Sequence, residues 1–251
     1  MKNISVLLKK DLLSLWRSKK ILILSIVFLL FAFSSPVLAY YMPEILKLVA
    51  DDLVINSAKV TLLDSYLQFF KNLGQIGLFI LIILFIPELI NERKKGQLAT
   101  LFNHKVTKTE FILSKLISQI IIFTFIFGLS IATFSLYNLI LFEKAWLSHS
   151  FLSFSLFYLY FIFIICLCNF FSSFSRNLTL AMVLTFSIVI FMPIFHIFDF
   201  GVYLPSYLTN LSTSVLTSQF IQKSYQNIIS TSISSIFLIF LAIQLCRYQE
   251  N

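Results

Sequence analysis

The chain has 251 residues, 59% apolar, 17% aromatic and only 12% charged, with a formal net charge of +8. Soluble domains carry about 25% charged residues, and a soluble chain this apolar would expose large sticky patches. A water-soluble domain is therefore excluded. The composition points to lipid, where roughly 20 apolar residues make one helical span.

With five Gly and long unbroken apolar runs, helices fit better than a β-barrel, whose strands alternate every second residue. The expected class is an all-α polytopic membrane protein. Residues 1–20 read as an amphipathic interfacial helix. Ile4, Leu7, Leu8, Leu12, Leu15 and Trp16 follow helical spacing, while Lys9, Lys10, Arg17 and Lys20 point elsewhere. Trp16 suits a membrane interface. The apolar run Ile21–Tyr41 is too long for the roughly 7–15-residue core of a secretory signal, so it reads as a retained first span, 21–41, ended by Pro43.

Residues 44–72 mix charge with apolar positions and read as one or two amphipathic helices outside the bilayer. The second span, 73–90, is short, with Pro87 placed to kink its inner end. A polar island follows, Pro87–Lys115, holding six of the nineteen Lys and Arg residues and three carboxylates. Further spans are expected at 116–142, 151–171, 178–197 and 228–246. Residues 198–227 are too polar for a clean span and too apolar for a free loop, and read as short re-entrant or interfacial helices.

Six spans put both termini on one side. With the termini inside, fourteen of the nineteen Lys and Arg residues fall on inner segments. The positive-inside rule then places both termini in the cytoplasm and the protein in the cytoplasmic membrane. The same asymmetry accounts for the +8 charge by contact with membrane lipid, with no nucleic acid partner.

No catalytic, cofactor or metal site is expected. The glycines, Gly74, Gly77, Gly96, Gly128 and Gly201, do not form a phosphate-binding loop, and His104, His149 and His196 lie in separate segments. Cys166, Cys168 and Cys246 sit in apolar runs without zinc-ligand spacing and read as buried small hydrophobes. His196 and Asp199 are three apart, so one helical turn would put them on one face, as a polar membrane site or as a polar pair at the outer interface. Glu88 could pair with Arg93 or Lys115, or reach water. The Phe-rich fourth span, with Phe151, Phe154, Phe157 and Phe161, reads as lipid contact and helix packing. With no GxxxG present, close packing falls to small residues such as Ser130 and Ala132.

The island resembles the ABC-2 family of ABC-transporter permeases, in the branch of NosY-like and other bacterial exporter permeases. The matching residues are Glu92, Arg93, Gly96, Leu98, Leu101, Thr107, Phe111 and Lys115. Where the family has Pro before the turn and Gly before the final Lys, this chain has Lys105 and Ser114. The resemblance implies a cytoplasmic coupling helix within Asn91–Asn103 and pairing with a second permease copy or a related permease. It also implies docking on a cytoplasmic ABC ATP-binding subunit, which would hold the ATP and Mg2+. Glu92 and Arg93 would supply ion pairs to that subunit, around Gly96, and Leu98, Leu101 and Phe102 apolar anchors. The implied function is that of an exporter subunit for a hydrophobic or amphipathic peptide, lipid or antibiotic. The alternative is a non-transporting membrane scaffold or immunity protein.

Overall fold

The computed structural model describes residues 2–49, 60–94, 106–217 and 224–248. The elements are α1 (Lys2–Arg17), α2 (Lys20–Val49), α3 (Leu62–Asn72), a π-turn (Leu73–Gly77), α4 (Leu78–Lys94), α5 (Lys108–Phe142), α6 (Ser150–Phe174), α7 (Leu178–Phe191), α8 (Tyr207–Ser214) and α9 (Ser224–Tyr248). Short 3₁₀ turns at Met192–Ile197, Asp199–Tyr203 and Val215–Thr217 flank α8. Among the described residues there is no strand, and six helical segments are long and apolar enough to cross a membrane. The chain is an all-α polytopic membrane protein.

Local chemistry sets several of the boundaries. Lys19 adopts a left-handed backbone (φ 58°), which breaks α1 from α2. Thr107 starts α5 with a capping box. Its hydroxyl accepts from the Glu110 N–H at 3.2 Å, and the Glu110 carboxylate accepts from the Thr107 N–H at 3.0 Å. The Asn177 side chain accepts from the Thr179 N–H at 3.1 Å to start α7.

Two expected boundaries are corrected. Pro43 does not end the first span: α2 runs through both Pro36 and Pro43. Each proline removes one N–H from the helical ladder, a loss that spanning helices tolerate because neighbouring groups re-satisfy the freed carbonyls. The second correction concerns the helix expected apart from the second span. α3 joins α4 through the π-turn in one helical segment, Leu62–Arg93. At 1.5 Å per residue that segment is about 48 Å long, more than the ~30 Å of a hydrocarbon core, so α3 reaches the far boundary and beyond. The close approach at the π-turn needs Gly77, where a β-carbon would lie 3.2 Å from Leu73 and 3.3 Å from the Phe28 ring. α4 likewise continues through Pro87.

α6 is the most enclosed of the six crossing segments, and α7 and α9 are the least. Around α6 the core is aromatic. Phe154, Phe157 and Phe161 are buried, whereas Phe151 faces out. Phe69 stacks on Phe134 with centroids 4.4 Å apart, and Phe28 meets Phe123 edge-on at 5.8 Å. Ser130 is buried as expected for a packing residue, but Ala132 is exposed on α5. Buried polar pairs tie the helices further: Ser65 donates to Asn138 at 2.6 Å, and the Ser153 hydroxyl donates to the Ser212 carbonyl, joining α6 to α8.

Candidate functional site

At one end of the bundle, charged and polar side chains from six helices converge. The local pattern explains how. On α1, Leu7, Asp11 and Leu15 recur every four residues and form its buried stripe. The stripe carries a carboxylate at its centre because α5 presents Lys115 to it. On α4, Glu88 and Glu92 are one turn apart and face the same way. On α5, Lys115 and Gln119 have the same spacing.

Lys115 is the hub and is only 2% exposed. Its ammonium donates to Asp11 Oδ1 at 3.1 Å and to Glu92 Oε1 at 2.9 Å. The Ser114 hydroxyl donates to Asp11 Oδ2 at 3.0 Å. Lys10, on the rim, adds a bond to Glu92 Oε1 at 3.2 Å. A second branch starts at Lys20, the first residue of α2, which reaches Glu88 Oε1 at 3.4 Å. Gln119 donates to Glu88 Oε2 at 3.0 Å, and Asn169 on α6 donates to Gln119 Oε1 at 2.7 Å. Three carboxylates thus face three ammonium groups, and these six formal charges cancel. Buried charges at the edge of a membrane core persist only when matched in this way.

Arg93 closes the network against the end of α6. Its guanidinium donates to the carbonyls of Ser172 at 3.3 Å and Ser173 at 3.0 Å, where a cation offsets the negative end of the helix dipole. It also reaches Cys246 Sγ on α9 at 3.7 Å. Leu89, Phe111, Ile112, Ala242 and Cys246 form a small apolar cluster at this end. All three cysteines are buried.

The site residues expected from sequence are distributed as follows. Glu88 is buried, but its partners are Lys20 and Gln119, where Arg93, Lys115 or water was expected. Glu92 is bonded to Lys115 and Lys10, and Arg93 to the end of α6, within this chain. Gly96, Leu98, Leu101 and Phe102 lie outside the described residues. His196 and Asp199 do not share a helical face: the backbone is extended at Phe198 (φ −95°, ψ 152°). His196 bonds instead to Ser206 through Nε2 at 2.7 Å, and its Nδ1 accepts from Asn210 at 3.3 Å, while Asp199 is exposed.

Sequence reading missed Asp11, Lys20, Gln119 and Asn169. The available signal was Asp11, the lone acid in a basic and apolar helix, at the four-residue spacing of Leu7 and Leu15. Trp16, placed on that apolar stripe by spacing, is instead 70% exposed together with Val6 and Leu13. α1 therefore has a bundle-facing stripe and a separate outward one, the latter suited to a membrane interface.

No family model matches the chain. The chain is similar to the uncharacterized transmembrane protein YxlG of Bacillus subtilis (strain 168), with 28% identity over 168 residues. The match takes in 66% of this chain and 65% of that protein, so the chain spans less than two thirds of its relative's length. This likeness and the six apolar helices make the chain a multi-pass membrane protein.

Proposed function

We propose that the chain is the permease subunit of an ATP-driven ABC exporter of the ABC-2 type. It moves a hydrophobic or amphipathic molecule across the cytoplasmic membrane, beside a second permease copy, with energy from a separate cytoplasmic ATP-binding subunit. The observation that carries this reading is Lys115 bridging Asp11 and Glu92. α4 ends at Lys94 and α5 begins at Lys108, so Glu92 stands at the start of the segment Asn91–Asn103 that the resemblance assigns to coupling, and Lys115 stands beyond its end. Their ion pair clamps the two flanking helices to each other and to α1. A push on residues 95–107 then moves α1, α4 and α5 together.

In this reading Glu92 and Arg93 act from inside, as positioning residues. Glu92 holds α4 to α5, and Arg93 holds α4 to α6 and α9. Transmission requires such stiffness, because a network with two discrete arrangements passes on a displacement that a loose loop would absorb.

The test is affinity purification of the chain in mild detergent from its native host. The expected result is a co-purifying protein with a G-x-x-x-x-G-K-[ST] loop and measurable ATP hydrolysis. Glu92→Gln should retain that partner and alter its ATPase rate. Purification of the chain free of any ATPase, under conditions that keep the chain folded, overturns the reading.

A further inference from the structure

At the end opposite the charge network, a cavity of about 390 Å³ opens between the π-turn, α6, α7 and α8. That is within the size range of small-molecule sites. Its lining divides by depth. Lys71 and Gln75, one turn apart, and Asn210 on α8 make a polar rim, while Phe79, Phe157 and Val189 are among the residues of an apolar wall. Lys71 and Arg93 are 22 residues apart on one helical segment, about 33 Å at 1.5 Å per residue, close to the thickness of a hydrocarbon core. With the charge network at one boundary, Lys71 stands at the other, and Phe79 lies two turns deeper.

Among the described residues Lys71 has no ion-pair or hydrogen-bond partner, in contrast to Lys115 and Lys20. The rim around it is fixed in place. His196 holds both Ser206 and Asn210, and Leu208 and Leu211 anchor α8 in the core. Gly74 leaves the wall open: a β-carbon there would meet nothing closer than the Phe157 ring at 3.7 Å.

A cation at headgroup depth above an apolar wall matches a molecule with the same division. We propose that this cavity binds an amphipathic anion, its acidic head on Lys71 and its hydrocarbon chain against Phe79, Phe157 and Val189. The inference does not require the exporter reading, since every contact lies within this chain.

The test uses the full chain in phosphatidylcholine nanodiscs, without nucleotide, and native mass spectrometry. Hexadecanoate and hexadecanol share a chain length and differ in charge. Hexadecanoate should bind at one molecule per chain, about tenfold more tightly than hexadecanol, the ratio that one charge-assisted contact supplies. Lys71→Gln should erase that ratio, and Gly74→Leu should weaken both ligands by filling the wall. Equal binding of the two probes, or a preference that survives Lys71→Gln, overturns the proposal. Anionic phospholipid retained at one per chain from the native membrane, and lost in Lys71→Gln, would identify a resident lipid as the source. Its absence alongside hexadecanoate binding would identify a single-chain amphipath. A missing ATPase partner would leave either result standing.

Discussion

The two ends of the bundle treat charged groups in opposite ways. At the end holding Lys115, carboxylates and ammonium groups are buried and cross-paired between helices, so that α1, α2, α4 and α5 share one electrostatic centre. At the end holding Lys71, the bonds between elements join uncharged groups, as from Asn72 to Ser35 and from Ser65 to Asn138, and the lysine faces a cavity. One end ties its helices to one another through charge. The other leaves room and an uncommitted charge. A membrane protein that transmits force at one end and accommodates a guest at the other would need this division, and substitutions at the two ends should separate it.

The largest effect is expected at Lys115. Lys115→Met removes the buried partner of Asp11 and Glu92 and leaves only Lys10, on the rim, to offset the two carboxylates. Breaking a buried pair from one side costs about 3–5 kcal/mol. Thermal unfolding in detergent should show a large loss, or the variant should fail to accumulate. Asp11→Asn combined with Lys115→Met should restore part of it, because the two losses are coupled by about 1–3 kcal/mol. Strictly additive losses would mean that Asp11 and Lys115 do not act as a pair. Gln119→Leu ranks next. It strips one hydrogen bond from Glu88 and one from Asn169, for a cost of about 1–3 kcal/mol by the same measurement.

The helix count and the sites of most spans could be read from apolar run length, because lipid admits only helices and closed barrels and these unbroken runs lack a barrel's alternation. The network could not. Its members, from Asp11 to Asn169, are far apart in sequence, and only the packing of α1 on α5 brings Asp11 to Lys115. The continuity of α3 with α4 was hidden for a related reason. Asp64, Gln68, Lys71 and Asn72 set α3 apart from the apolar run that follows, while its apolar side, with Tyr66 and Phe69 fully buried, packs into the same core. Pro43 is no stop signal here, because a spanning helix can continue through a proline, as α2 does twice. His196 and Asp199 were joined by a spacing that holds only in a continuous helix, and the chain breaks at Phe198.

Smaller effects sharpen the contrast at the other end, within one π-turn. Gly77→Ala puts a methyl group 3.2–3.3 Å from Leu73 and Phe28 and should destabilise by about 1–3 kcal/mol through overpacking. Gly74→Ala, three residues earlier, meets only the Phe157 ring at 3.7 Å and should be neutral or slightly stabilising. If the two glycine variants unfold alike, the close approach of α2 at Gly77 is not what the π-turn serves.

The smallest effect is expected at Lys71. Lys71→Gln breaks no bond among the described residues, so its unfolding should stay within about 0.5 kcal/mol of the parent. That neutrality is informative. A lysine conferring stability through an ion pair, as Lys20 does with Glu88, would register on removal. A lysine reserved for a guest would not register until the guest is present. Added hexadecanoate should therefore raise the unfolding temperature of the parent and leave Lys71→Gln unmoved, since only a ligand bound to the folded state shifts the transition. A loss of stability in the ligand-free variant would instead assign Lys71 to the fold and return the far end of the bundle to the same role as the near one.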